Sequence, residues 1–258
     1  MKRTALITGG SSGIGSAMVR AFAAEGHRTW FTYRRGKDRA KQLMEDLAGS
    51  EVQAFHLELG DWHSHQMLTA ELPGPVDILV NNAGLGSKTV ESFSGQTHEQ
   101  DAALLMVNAV GPLWLTRALL PSMVKRGFGK IILVSSVGGG VTHFPGFHYA
   151  DGMSKAALAY LGKHLQAEHT QDPIDVFTIC PGATRTPMFQ ASTLETLSQA
   201  ARKKLIDGLP GGRLIDPAEI ASIALRLCTD EFRVLRGAVL DASLGLGVQP
   251  VCLAQDEH

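Results

Sequence analysis

The sequence predicts an α/β domain in which a parallel sheet is covered by helices on both faces. Three observations predict it. Short β-rich runs alternate with longer helical patterns, the order that βαβ units produce. The strand runs are apolar almost end to end, as suits strands buried on both faces. A glycine-rich stretch, "TGGSSGIG" (8–15), lies between the first strand and the first helix.

The elements follow in order. "TALIT" (4–8) precedes "GSAMVRAFAAEG" (15–26), and "RTWFTY" (28–33) precedes "DRAKQLMEDLAG" (38–49). "VQAFHLEL" (52–59) leads into a short polar segment over 61–75. "VDILVNN" (76–82), "KIILVSS" (130–136), "IDVFTIC" (174–180) and "GAVLDAS" (237–243) complete the strands. The apolar stretch "ALLMVNAVGPLWLTRALL" is interrupted by Asn108, Gly111, Pro112 and Arg117. It reads as a buried helical region rather than a membrane span. Residues 187–212 fit no simple unit and end in Pro and Gly. Ligands of such folds sit outside the carboxyl ends of the strands, so this excursion is a candidate substrate lid. No linker or repeat divides the chain, and residues 1–258 read as one domain.

Composition narrows the function classes. Apolar residues make up 44% and charged residues 19% of 258, an ordinary globular balance. The formal charge of −1 gives no general pull toward nucleic acid or an anionic membrane, and neither is expected as a partner. The N-terminal apolar run is too short for a signal peptide. Cys180, Cys228 and Cys252 are scattered and odd in number, which suggests reduced thiols and a cytoplasmic protein. The ten histidines form no HxxxH or HExxH pattern, and no metal is expected.

The glycine-rich stretch carries the first chemistry. Glycines let backbone approach a phosphate, and the helix behind them offers free N–H groups and a positive dipole. An acidic residue at the end of the second strand would read the ribose hydroxyls of NAD. Here that position reads "TYRRGK" (32–37), and Arg34, Arg35 and Lys37 are placed to pair with a 2′-phosphate. NADP(H) is therefore favoured over NAD(H).

Several spaced motifs now coincide: "TGGSSGIG" (8–15), "NNAG" (81–84), Asn108 in "VNAVGP", Ser135–Ser136, "SKAAL" (154–158) and "PGATRT" (181–186). Over about residues 3–243 the chain resembles the short-chain dehydrogenase/reductase family. The resemblance implies a single Rossmann-type doubly wound domain with a seven-stranded parallel sheet. It also implies hydride transfer between a nicotinamide and a carbonyl or alcohol carbon. Gly9, Ser11, Ser12, Gly13, Ile14 and Gly15 would hold the cofactor phosphates. Glu58 and Leu59 would lie near the adenine. Asn82, Ala83 and Gly84 would line the cofactor, and Pro181, Gly182, Thr184 and Thr186 would border the nicotinamide. The departures are Phe177 for a frequent Asn, Cys180 before the Pro-Gly, Asp241-Ala242-Ser243 for a C-terminal Asp-Gly-Gly, and the short region 61–75.

The resemblance assigns catalysis to Asn108, Ser136, Tyr149 and Lys155: serine binds the substrate oxygen and tyrosine moves its proton. Lysine lowers the tyrosine pKa and holds the ribose, and Asn108 supports a water relay to Lys155. One stretch, "YADGMSK" (149–155), breaks the pattern. Counting thirteen on from Ser136 reaches Tyr149, whereas counting four back from Lys155 reaches Asp151. Positions six apart lie about 120° apart on a helix, so Tyr149 and Lys155 do not share a regular helical face. The two extra residues fit most cheaply in the loop "GVTHFPGFHY" (140–149). On this reading Asp151 caps the helix, and Tyr149 folds back toward Ser136 from just before it. His148 is a second donor candidate, because imidazole titrates near neutrality.

The leading expectation is an NADP(H)-dependent oxidoreductase that reduces the carbonyl, or oxidises the alcohol, of a small to medium, biosynthetic type of substrate. Met188, Phe189 and Leu194 hint at a partly apolar substrate. Alternatives are tyrosine-independent conjugate reduction of an activated double bond, and an inactive NADP-binding sensor or scaffold. Related enzymes pair helices near 101–127 and 152–170, which makes a homodimer or homotetramer the expected assembly.

Overall fold

Strand order places the site before any side chain is considered. The computed structural model describes residues 2–143 and 148–249. Among the described residues, seven strands form one sheet: β1 (Thr4–Ile7), β2 (Arg28–Tyr33), β3 (Val52–His56), β4 (Ile78–Asn81), β5 (Gly129–Val134), β6 (Ile174–Pro181) and β7 (Val239–Ala242). Their order is β3-β2-β1-β4-β5-β6-β7 and every pairing is parallel. The chain winds outward from β1 to β3, then returns to β4 on the other side of β1. Beyond the carboxyl ends of β1 and β4 the connections diverge and leave a crevice. The expected α/β sheet is thus present, with each strand run in its expected place.

The connections are α1 (Gly13–Ala24), α2 (Lys37–Asp46), α3 (Trp62–Glu71), α4 (Thr97–Leu105), α5 (Gly111–Arg126), the glycine turn α6 (Val137–Gly140), α7 (Tyr149–Glu168), the single turn α8 (Pro187–Phe189), α9 (Gln199–Gly208) and α10 (Pro217–Leu227). Adjacent strand residues point to opposite faces, and both faces are buried. Ala5, Ile7, Ile78, Val80, Ile132 and Val134 join Met18 and Phe22 of α1 and Ile220 and Ala224 of α10 in one core. Leu6, Leu79, Ile131 and Leu133 join Leu115 and Met123 of α5 and Leu158 and Leu165 of α7 in the other. This two-sided burial explains why the strand runs are continuous in hydropathy.

Two further segments take definite form. The polar segment over 61–75 forms α3, started by Asp61, whose side chain accepts from His63 N, and buries His65 and Leu68. Thr97–Arg126 is one helical stretch whose apolar length would suffice for a bilayer. It instead packs Leu104, Leu115, Leu120 and Met123 into the core, and a π turn at Met106–Val110 carries Asn108 inward.

At the opposite, amino end of the sheet, Lys130 and Asp175 form a buried ion pair between β5 and β6. Nζ lies 2.6 Å from Oδ2, and each side chain is 3% exposed. Asp230, Arg233 and Arg236 surround the pair at 3.4–4.0 Å.

Candidate active site

The glycine-rich turn is built for close approach. Gly9 and Gly13 take φ of +67° and +54°, conformations that side chains rarely adopt. A Cβ on Gly15 would come 2.3 Å from the Gly9 carbonyl oxygen. Hydrogen bonds from Gly9 N to Thr32 Oγ1 (3.2 Å) and Gly10 N to Thr32 O (2.9 Å) fasten the turn to β2. Thr8 Oγ1 accepts from Asn82 N and Ala83 N, both at 3.0 Å. Asn82 Nδ2 donates to Thr8 O at 2.9 Å, so the Asn82 side chain ties β1 to β4.

A cleft of about 870 Å³ opens over these carboxyl ends. Its wall includes Gly9, Ser11, Ser12, Gly13, Ile14 and Gly15, then Glu58, Leu59, Asn82, Ala83 and Gly84, and finally Ser136, Lys155, Pro181, Gly182, Thr184 and Thr186. The segment 187–212 contributes Pro187, Met188, Phe189, Ser192, Thr193, Leu205 and Leu209.

At the end of β2, Arg34 and Arg35 line the cleft, as does Arg39 of α2. Lys37 does not contribute to this wall, because it starts α2 and Arg39 lies two residues further on. Arg34 sits 3.7 Å from Glu58 Oε2 and 4.6 Å above the Phe93 ring. Burial holds its pKa below the usual arginine value, with Glu58 opposing. Arg35 donates to Ser92 Oγ at 3.4 Å. A third guanidinium and an aromatic platform are thus additions to the sequence reading. Arg39 was legible in principle, one turn past the basic pair. Phe93 had no signal, since it follows an isolated 3₁₀ turn, Thr89–Ser92.

The donor set at this end fits NADP(H): three guanidiniums line it, and the end of β2 carries no carboxylate.

The catalytic half of the cleft departs further from expectation. Ser136 lines the cleft and its Oγ accepts from Gly138 N at 3.2 Å. Asn108 is 0% exposed and stands behind the wall. Its Oδ1 accepts from Leu85 N at 2.7 Å, and its Nδ2 donates to Leu85 O and Ser154 Oγ at 2.9 and 3.1 Å. A Cβ on Gly84 would meet Asn108 Oδ1 at 3.0 Å and Lys155 Nζ at 3.5 Å, so a glycine there lets both groups converge. Lys155 lines the cleft half-buried, and dehydration lowers its pKa against the opposing charge of Asp151.

Tyr149 requires correction. It was expected just before the helix, folded toward Ser136; it is instead the first residue of α7 and 90% exposed. It contributes nothing to the cleft wall. The cap position belongs to His148, so Asp151 is not the cap but a first-turn residue. Asp151 is 5% exposed and lines the cleft. Ser87 Oγ donates to its Oδ2 at 3.1 Å. The cause is helical register: 151 and 155 are 40° apart and 149 and 155 about 120° apart at 100° per residue. His148 also reaches the cleft, with Nε2 3.8 Å from Asp101 Oδ1. Phe144 and Phe147, in the loop 140–149, lie outside the described residues.

Behind Ser136, Ser135 Oγ donates to Lys155 O at 2.8 Å. Cys180 is fully buried beside it, and burial pushes its thiol up to about 11.

Comparison with known proteins agrees with this geometry. The family model for short chain dehydrogenases matches residues 3–196. Oxidoreductase UcpA of Salmonella typhimurium is 35% identical over 243 residues, covering 91% of this chain and 90% of the relative. An acetoacetyl-CoA reductase of Rhizobium meliloti is 32% identical over 249 residues, covering 95% and 98%. Among solved structures, an actinorhodin polyketide ketoreductase variant with NADPH superposes with a TM-score of 0.86 at 27% identity, covering 95% and 97%. The chain belongs to the short chain dehydrogenase family, nicotinamide-dependent oxidoreductases that act between C=O and CH–OH.

Proposed function

We propose that this chain is an NADP(H)-dependent oxidoreductase that reduces the carbonyl, or oxidises the alcohol, of a small to medium, partly apolar substrate. The observation that carries this reading is the continuity of one cleft, from the glycine-rich turn past three guanidiniums to Ser136 and Lys155. Bound there, the nicotinamide supplies or accepts the hydride. The N-terminus of α1 and the glycine backbone hold the pyrophosphate. Arg34, Arg35 and Arg39 hold the 2′-phosphate. Lys155 holds the ribose, and Ser136 Oγ donates to the substrate oxygen. Asn108 positions Leu85 and the first turns of α7 rather than touching the substrate. The lid segment, 187–212, closes over the apolar end. Likeness to an acetoacetyl-CoA reductase and a polyketide ketoreductase supports a ketone class of substrate. The test is a fluorescence titration with NADPH and NADH, followed by product analysis on a ketone panel. Equal affinity for both cofactors would refute the NADP(H) preference, and absence of alcohol product would refute carbonyl reduction.

A second reading is favoured by one observation: the phenol of Tyr149 is outside the cleft. Conjugate reduction of an activated double bond needs no tyrosine, because solvent protonates the carbanion. A saturated carbonyl product, rather than an allylic alcohol, would select it.

For assembly we propose a homodimer or homotetramer. Met106, Met153 and Tyr160 are exposed apolar groups on the segments expected to pair. Light scattering giving a monomer mass would overturn this. A cytoplasmic location is proposed from the unpaired thiols Cys180 and Cys228.

A further inference from the structure

The cleft offers a carboxylate where a proton-donating phenol was expected. Asp151 lies one helical turn before Lys155, a rise of about 6 Å, on nearly the same face of α7. His148 lies another turn out, about 10 Å from Lys155 by helical rise. Of the α7 groups that line the cleft, Asp151 is therefore the nearer to Lys155. It is 5% exposed, and Ser87 Oγ donates to it. An ionised carboxylate gives no proton to an alkoxide, and it repels the negative charge that forms when hydride adds to a neutral ketone. The same charge stabilises a substrate that is already cationic.

We propose that Asp151 makes this cleft a site for a cationic C=N substrate, an iminium, whose carbon accepts hydride without a protein proton donor. The inference rests on the NADP(H) reading above for its reductant. The iminium carbon takes one hydride, the C=N π pair becomes the nitrogen lone pair, and the products are a neutral amine and the oxidised nicotinamide. No proton is transferred, which matches the absence of Tyr149 from the cleft wall. Among the described residues, Asp101 (beside His148), Lys155 and Ser87 are charged or polar groups beside this stripe, and Ser136 shares the cleft wall with it. Lys155 is the lysine among them, one helical turn from Asp151, and the ribose would occupy it.

The test uses N-methyl-3,4-dihydroisoquinolinium, a permanent cation, against 2-tetralone, a neutral ketone of similar shape. Calorimetry on the free protein and on the protein with NADP⁺ gives binding, and absorbance at 340 nm gives turnover with NADPH. The expected result is that the cation binds at least about tenfold more tightly than the ketone and is reduced faster. Asp151→Asn should weaken cation binding at least about tenfold while leaving NADPH affinity within twofold, which also shows that the variant is folded. Equal binding of the cation by Asp151→Asn, or equal binding of the two probes by the unaltered protein, would overturn the proposal. Cation binding is read without cofactor, so failure to bind NADPH would sink the cofactor reading alone.

Discussion

A lysine and an aspartate stand at each end of the sheet, one pair on its strands and the other on α7, and the two pairs are arranged differently. At the amino end, Lys130 and Asp175 touch at 2.6 Å with both side chains 3% exposed. At the carboxyl end, Lys155 is held by dehydration below its ordinary pKa, and Asp151 influences it through space while accepting from Ser87. A lysine that only holds the fold is satisfied within the chain. A lysine left short of partners at a cleft has capacity reserved for a ligand. Contact distance therefore separates a structural ion pair from a working one where burial alone would not.

The largest expected effect sharpens the functional end. Lys155→Met should lower turnover by about 10²–10⁴-fold, the usual range for a lost proton-handling or cofactor-orienting group. It should not lower the melting temperature, because it removes a dehydrated charge. Steady-state kinetics with a thermal melt checks both. The converse is Lys130→Met, which takes from Asp175 its contact at 2.6 Å and leaves it Arg233 at 3.4 Å. It should destabilise the fold by about 1.5–3 kcal/mol, the loss of one charged hydrogen bond, and leave NADPH affinity unchanged. A thermal melt that did not move would break the comparison.

Smaller effects follow at the rim. Arg34→Ala should weaken NADPH by about tenfold or more, the loss of one charged hydrogen bond, and leave NADH unaffected. Paired fluorescence titrations read the difference. The smallest concerns Cys180, whose thiol is pushed up from 9.0 to about 11 by burial. The unfolded chain loses that proton first, so the contribution is fully present below pH 9.0 and is lost as pH rises toward about 11. Denaturant melts across this window should show stability falling with pH, and Cys180→Ala should flatten part of that slope. At neutral pH the thiol should resist iodoacetamide.

The fold and the glycine-rich end of the cleft were legible because both depend on local sequence. Buried parallel strands are apolar at every position, and β2 matches "RTWFTY" residue for residue. The glycine turn needs its glycines for backbone reasons that no neighbour can supply. The catalytic half was less legible because it depends on helix phase. "YADGMSK" contains the ingredients, and the 120° offset of Tyr149 could be read. Whether the helix would begin at Tyr149 or at Asp151 depends on His148 taking the cap position, a tertiary choice. Phe93 reaches Arg34, and Leu205 and Leu209 reach the cleft, from distant segments, which no local pattern reports.

The helical phase of α7 also bears on how such a chain acquires new chemistry. A point substitution exchanges one side chain, but two residues added in the first turn of a helix turn a different residue toward the cleft while the sheet beneath is untouched, and the loop before the helix takes up the added length. Loops absorb such insertions at small entropic cost. Removing Gly152 and Met153 would return a tyrosine to the fourth position before Lys155 in one genetic event. The route between two reactions in this scaffold then runs through length changes as well as through the exchange of single amino acids.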